Sequence, residues 1–318
     1  MYHTVAPSPL PHVAELYPHK APDDFERDLR WIVRHLHPVS YERWLEARRM
    51  GKRLPPRAAL VTFDDGMAEC FSVVRPLLLA YGVPCVFFLT AGFLDNRRLF
   101  YRHKVSLCLH RLRGAAPVGE RASLARRLVQ LAGAAGAGWG SGVERSVERS
   151  AERWLLGLAH ADEATMDAAC AALGVDVEGY LRDRRPYLTT EQARTLAADG
   201  FTLGGHGLAH ARLGALADDA AVEREIAESC AAAAALSGRD EAPFAFPFHG
   251  DGVGRDLLAA VLARHRGIGT VFDTDRLRPD RPFVVHPIGA DTPPRPGDAR
   301  STLPYVLREA YRERVFGG

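Results

Sequence analysis

Short apolar runs set between longer stretches of helical period constrain this chain more than any other feature, because runs buried on both faces belong to parallel sheets covered by helices. Runs of strand length occur at 58–61, 83–89, 201–205, 244–247, 267–272 and 283–288. Helical period is legible between or beside them over 69–81, 190–198, 218–236 and 254–266, with further helices expected over 23–37, 41–50 and 300–314. Strands alternating with helices predict a parallel α/β sheet. In the helix over 23–37, aspartates stand at the start, and Phe25, Leu29, Ile32, Val33 and Leu36 are expected to form the buried face. Tyr2-His3-Thr4-Val5 reads as the end of a short first strand.

The rhythm stops over about 96–186, where the chain reads as helical throughout, with period clearest over 102–112, 120–131 and 143–158. A Gly/Ala-rich stretch, 133–142, reads as a loop between two of these helices. Repeated Glu-Arg pairs are solvated helix faces with i,i+4 partners. The expectation is a single domain over 1–318 with a helical insertion, which leaves a strand end and so borders whatever site the strand ends build.

Such a site announces itself at Val61-Thr62-Phe63-Asp64-Asp65-Gly66, an apolar run that ends in two adjacent carboxylates and a glycine. Two negative charges at a strand's carboxyl end repel unless one is protonated or a cation sits between them. Taken alone, the stretch is equally a strand followed by an Asp-Gly turn. The deciding feature is downstream: after the Phe201 run comes His206-Gly207-Leu208-Ala209-His210, two imidazoles at i and i+4. On one face of a helical turn that spacing suits a divalent metal. A zinc protease would carry glutamate directly after the first histidine as general base, and Gly207 excludes that class.

Thr62-Phe63-Asp64-Asp65-Gly66 with His206-Gly207-Leu208-Ala209-His210 resembles the polysaccharide deacetylases, the NodB-homology group of carbohydrate esterases. Their third motif has a counterpart in Phe244-Ala245-Phe246-Pro247-Phe248-His249-Gly250, and the stretch from Leu188-Thr189-Thr190-Glu191-Gln192 to Phe201 is similar to the lead into the family's His motif. The match covers roughly 58–94 and 187–290. With roughly seven or eight strand-helix units, the resemblance implies an α/β fold, a distorted (β/α) barrel of the NodB type with the helical insertion. It implies a metal-dependent hydrolase that removes an N-acetyl group from an amino sugar or its conjugate. Deformylation or cyclic-amide hydrolysis within the same superfamily, and an inactive carbohydrate-binding relative, are the alternatives.

By position, the resemblance implies that Asp65, His206 and His210 hold a divalent ion, with Zn2+ expected, and that Asp64 is the base. Pro247, Phe248 and His249 would line the oxyanion and substrate side, with the Phe248 N–H as oxyanion donor. Three histidines compete as general acid. Tyr2-His3 looks like the opening of the branch that includes biofilm-polysaccharide deacetylases, where the opening histidine is the acid; His286 comes second and His249 third. Three departures stand out: Gly207 replaces the usual hydroxyl residue and could loosen the His loop; Ala245 stands near the family's arginine, so something else must orient Asp64; and Val284-Val285-His286-Pro287-Ile288 stands where many relatives show a strand with arginine or a catalytic histidine.

With 41 basic and 39 acidic residues scattered among one another, the net charge of +2 carries no nucleic-acid signature. The five cysteines are widely spaced with no Cys-x-x-Cys and read as buried thiols of a reducing compartment. The apolar stretch 73–94 is broken by Pro76, Gly82 and Pro84, so no membrane span is expected. No export signal is legible at the amino terminus, and the expectation is a cytoplasmic enzyme acting on a soluble N-acylated sugar or glycoconjugate.

Overall fold

The computed structural model describes residues 1–134, 146–273, 277–295, 297–298 and 300–316. Two compact units divide the chain: Met1–Ser8, His19–Arg97 and Pro186–Gly318 form one, and Pro9–Pro18 with Arg98–Arg185 form the other.

In the first unit, helix α1 (Pro22–His35) leads to strand β1 (His37–Pro38), helix α2 (Tyr41–Arg49) and strand β2 (Ala58–Ala59), which pairs in parallel with β1. Val33 is 44% exposed, so it does not belong to the buried face of α1 that was expected to include it; Phe25, Leu29 and Ile32 make that face. The run at 58–61 is accordingly split, its first half pairing with β1 and its second opening strand β3 (Val61–Phe63). The helix expected over 69–81 is a π turn, Cys70–Val74, running into α3 (Arg75–Tyr81). Pro76 in the first turn of α3 has no N–H to contribute to the ladder behind it.

Strand β4 (Cys85–Leu89) follows. The second unit then holds α4 (Tyr101–Arg113), α5 (Val118–Ala134), α6 (Val147–Gly157), α7 (Glu163–Leu173) and α8 (Val177–Arg184). Its apolar core includes Leu109, Leu112, Leu128, Leu155 and Met166. Residues 9–18 belong to this unit although they precede it by some 80 residues in the chain. Ser106 Oγ donates to the Pro11 carbonyl (2.8 Å), and the His12 ring meets the Tyr180 hydroxyl (2.8 Å). Of the loop expected over 133–142, the first two residues close α5; the rest, and 143–145 of the helix expected after it, lie outside the described residues.

Back in the first unit, α9 (Thr190–Ala198), β5 (Thr202–Gly205), α10 (Asp219–Ser237), β6 (Ala242–Ala245), α11 (Arg255–Arg264), β7 (Ile268–Phe272), β8 (Val284–Val285) and α12 (Leu303–Phe316) complete the chain. Thr189 and Gln192 close a reciprocal capping box on α9, as the Thr-x-x-Gln spacing at 189–192 implies. Strands β3 to β8 form one parallel sheet in sequential order, the curled sheet of a NodB-like α/β barrel.

Six of the eight strands among the described residues make up this sheet, and a further stave beside β3 is made by irregular chain. Tyr2 N donates to the Thr62 carbonyl (2.9 Å) and the Asp64 N–H to the Tyr2 carbonyl (2.9 Å). On its other side Met1 donates to Ile288 O (2.9 Å) and receives the Ala290 N–H (2.8 Å). The residues expected to form a first strand thus join the β3 edge to the chain leaving β8. Beneath them Lys20, buried, is paired with buried Asp28, which also accepts the Tyr2 hydroxyl (2.9 Å) and that of Ser301 (2.8 Å). A charge pair taken out of water persists only when its remaining lone pairs are satisfied, and here both Asp28 oxygens are.

Candidate active site

Strand β3 hands the chain to Asp64 and Asp65, both almost fully buried at 3% and 6% exposure. Asp65 and Gly66 are each left-handed at φ 73°, a turn that sends the chain sharply off the strand while the two carboxyl groups stay at its end. His210 (φ 53°) and Phe248 (φ 63°) are left-handed too. Backbone of this kind in non-glycine residues costs energy and is kept where surrounding structure over-determines it.

Strand β5 delivers His206. A Cβ on Gly205 would lie 2.7 Å from the Cys230 backbone nitrogen, so α10 packs against the end of β5 at a distance that glycine alone permits. His206 N donates to the Leu89 carbonyl (2.9 Å), and its Nδ1 meets the Ala245 carbonyl at 2.9 Å. The place where the family's arginine is absent is therefore used by a backbone oxygen that sets the His206 ring.

The i,i+4 histidines do not lie on a helical turn, contrary to expectation. Residues 206–210 form a loop, with Gly207 at φ 74°. Ala91 N and Gly92 N donate to the Gly207 and Leu208 carbonyls (3.0 and 2.9 Å). From the other side Glu225 Oε2, on α10, accepts the Leu208 N–H at 2.6 Å and the Ala209 N–H at 3.4 Å. A Cβ at position 207 would stand 2.9 Å from that same oxygen. Gly207 does not loosen the loop; it makes room for the carboxylate that ties it. Glu225 had escaped notice, although its spacing from Val222, Ile226 and Ser229 places it on the buried face of its helix.

The loop brings both imidazoles onto one carboxylate oxygen: Asp65 Oδ1 lies 2.9 Å from His210 Nε2 and 3.3 Å from His206 Nε2. His206 Nδ1 faces a carbonyl, which only accepts, so Nδ1 carries a hydrogen and Nε2 is the atom turned to the carboxylate. Ring nitrogens facing an anion in a buried site call for a cation between them, a proton on the ring or a metal ion. One oxygen and two nitrogens, one of the rings oriented by a backbone carbonyl behind it, fit a divalent ion.

The two aspartates are pushed apart. Burial raises the Asp64 carboxyl above the usual range, with Asp65 adding to it and the charges of His206 and His3 opposing. Burial acts on Asp65 as well, but the His210 charge and the hydrogen bonds from His206 and His210 outweigh it and hold that carboxyl well below the ordinary range. Adjacent carboxyls with divergent affinities for protons suit different tasks, one as anionic ligand and one as proton acceptor. Asp64 Oδ1 is buried and has no hydrogen-bond partner among the described residues.

Phe248 stands edge-on to the His210 ring (4.9 Å between centroids), and Pro247 packs toward Gly207. Gly250 N donates to the buried carboxylate of Asp273 (2.8 Å), which ties this loop to the end of β7. His249 turns to Asp251, its Nδ1 3.3 Å from the Asp251 amide. His286 has both ring nitrogens engaged elsewhere, Nδ1 with the Asp273 carbonyl (3.1 Å) and Nε2 with Asp280 (2.9 Å). Asp273, Asp280 and His286 form a second group with the ligand types for a metal, but the Arg255 guanidinium already bridges the two carboxylates. His3 is paired with Asp291, Nδ1 to Oδ2 at 2.6 Å, while the other Asp291 oxygen accepts the His3 N–H at 3.0 Å. Burial alone would lower the His3 pKa, but Asp291, by charge and hydrogen bond, with Asp65 and Asp64 behind it, raises it to about 10. Nothing in the sequence had marked Asp291, which is 288 positions away.

No family model matches the chain. A stretch of 59 residues, 19% of this chain, is 39% identical to poly-beta-1,6-N-acetyl-D-glucosamine N-deacetylase of Escherichia coli K12, and spans 9% of that protein's length. Among solved structures, the fold is similar to Streptococcus pyogenes deacetylase PplD in complex with acetate (TM-score 0.51, 14% identity, 86% of this chain and 82% of the other). It is similar also to IcaB from Ammonifex degensii (TM-score 0.50, 15% identity, 97% and 95%) and to a de-N-acetylase from Aggregatibacter actinomycetemcomitans (0.50, 14%, 90% and 91%). At these identities the likeness is one of fold alone.

Proposed function

We propose that this chain is a zinc-dependent hydrolase that removes the N-acetyl group from an amino sugar or amino-sugar conjugate. The observation that carries the reading is the convergence of His206 and His210 on Asp65, with Asp64 beside them, whose buried Oδ1 has no hydrogen-bond partner among the described residues. A divalent ion held by Asp65, His206 and His210 would supply Lewis acidity, polarising the amide carbonyl and acidifying water. Asp64 accepts the proton from the water as its oxygen adds to the acetamide carbon, a transfer for which a buried carboxylate with raised proton affinity is suited. The Phe248 N–H would be the donor to the developing oxyanion, on a segment fixed by the left-handed backbone at that residue and the Asp273 tie to Gly250. As the C–N bond breaks, His3 passes its proton from Nε2 to the amine, with Nδ1 committed to Asp291.

Acetate release is the direct test: the zinc-loaded protein, given a panel of N-acetylated amino sugars and their oligomers, should liberate acetate in step with new primary amines. Formate release from N-formylated analogues in place of acetate would move the assignment to deformylation, and release of neither would refute it.

The acid assignment has its own readout. An acid must be protonated to act, so activity falls as pH rises through the His3 pKa, which Asp291 raises. Asp291→Asn should keep the metal and shift the basic limb of the kcat profile to lower pH, while His3→Ala should abolish that limb. An unmoved limb in both variants would assign the proton to another group.

A further inference from the structure

Five cysteines lie far apart in the sequence, yet two of them meet. Cys108 on α4 and Cys170 on α7 bring their sulfurs to 3.6 Å within the apolar core of the second unit. A disulfide needs about 2.05 Å, so closing a gap of about 1.5 Å separates this pair from a bond. In the first unit the Cys85 and Cys230 sulfurs lie instead against backbone carbonyls.

The two thiols are not alike. Both are buried, Cys108 completely, while Cys170, 3% exposed, forms part of the wall of an open cleft of about 390 Å³ together with Lys104, Asp167, Val175 and Leu181. The Lys104 ammonium, held by Asp167 (2.6 Å) and Glu163 (3.3 Å), lies near that sulfur. A hydrogen bond from Cys108 holds the Cys170 thiol below the ordinary range, with Lys104 helping and burial opposing; the same bond, with burial, holds Cys108 above it. Attack on an oxidant is carried out by the thiolate that is both favoured and reachable, and resolution by the thiol behind it.

We propose that Cys170 and Cys108 are a peroxide-reactive dithiol, Cys170 attacking and Cys108 resolving. The Cys170 thiolate bonds to one oxygen of hydrogen peroxide, the O–O bond breaks, and the departing hydroxide takes a proton to leave as water. Cys108 then gives up its proton, its sulfur bonds to that of Cys170, and the S–O bond breaks to release a second water. Two thiols are oxidised by two electrons and one peroxide is reduced. The product links α4 to α7 across 62 positions of the chain, which restricts the unfolded state and raises the denaturant midpoint of the oxidised form.

The test uses the full chain, reduced, exposed to hydrogen peroxide, then unfolded and alkylated for mass spectrometry. Expected are the loss of two of the five thiols, a cross-linked pair of peptides carrying positions 108 and 170, and recovery of all five on treatment with dithiothreitol. Cys108→Ser should accumulate a sulfenic acid at Cys170 that dimedone captures, and Cys170→Ser should leave Cys108 alkylatable. Retention of all five thiols in the folded wild type, over-oxidation of Cys170 without cross-linking, or prior reaction of Cys70, Cys85 or Cys230 would overturn the proposal. The wild-type readout needs no variant, so it holds even if a substitution in this core prevents folding.

Discussion

Asp65→Ala is expected to yield a folded protein that binds no stoichiometric divalent ion and has lost the hydrolase activity. Its carboxylate is the oxygen on which both His206 and His210 converge, so its removal leaves two neutral imidazoles and no charge to hold a cation. An ion of this kind contributes several kcal/mol at the transition state, and with about 1.4 kcal/mol per factor of ten, kcat/KM should fall by ~10³ or more. Because its contacts with His210 and His206 outweigh burial and hold the Asp65 carboxyl well below the ordinary range, the ionised group stabilises the metal-free fold at neutral pH, so the unfolding midpoint of the metal-free variant should fall below that of the metal-free wild type. Elemental analysis after dialysis, beside a thermal melt, checks both halves. A full equivalent of metal in Asp65→Ala would sink the ligand assignment.

The neighbouring carboxylate should behave in the opposite way. Asp64→Asn keeps the shape and, if Asp64 is a base and not a ligand, keeps the metal, while kcat drops by ~10² to 10⁴, the usual worth of a positioned acid or base. Because burial raises the Asp64 carboxyl, the wild type loses activity as pH falls through that group's pKa and the base becomes protonated. The variant has no such group, so the acidic limb of its residual activity should disappear. Near-normal turnover with an intact acidic limb would mean that another residue activates the water.

The difference between the two aspartates shows how far local chemistry reaches. Asp64 and Asp65 are adjacent, carry the same group and lie within one turn of chain, yet burial raises Asp64 against the charges of His206 and His3, while His210 and His206, far away in sequence, outweigh burial and hold Asp65 low. Strand-end placement was legible because Val61, Thr62 and Phe63 form a short buried run that cannot continue through two carboxylates. The bounds of α9, Thr190–Ala198, were legible because its cap chemistry lies in four consecutive residues. The two histidines were legible as a candidate ligand pair but not as a shape: i,i+4 spacing suggested a helical turn, and tertiary hydrogen bonds with Ala91, Gly92 and Glu225 made a loop.

What the sequence by itself determined is therefore what neighbouring residues decide between them: the alternation of strands and helices, the positions where strands stop, and the residue types gathered at those stops. Tertiary structure alone decided which distant groups face them. Asp291 behind His3, Glu225 beneath Gly207, residues 9–18 inside the helical unit, and Met1 and Tyr2 joining the sheet edges are contacts between segments whose separation carries no periodic or compositional mark. The physical reason is range. Backbone hydrogen bonding and capping act over a few residues and leave a pattern in the chain, whereas burial and electrostatics act through space and leave none until the sheet has curled and brought the partners together.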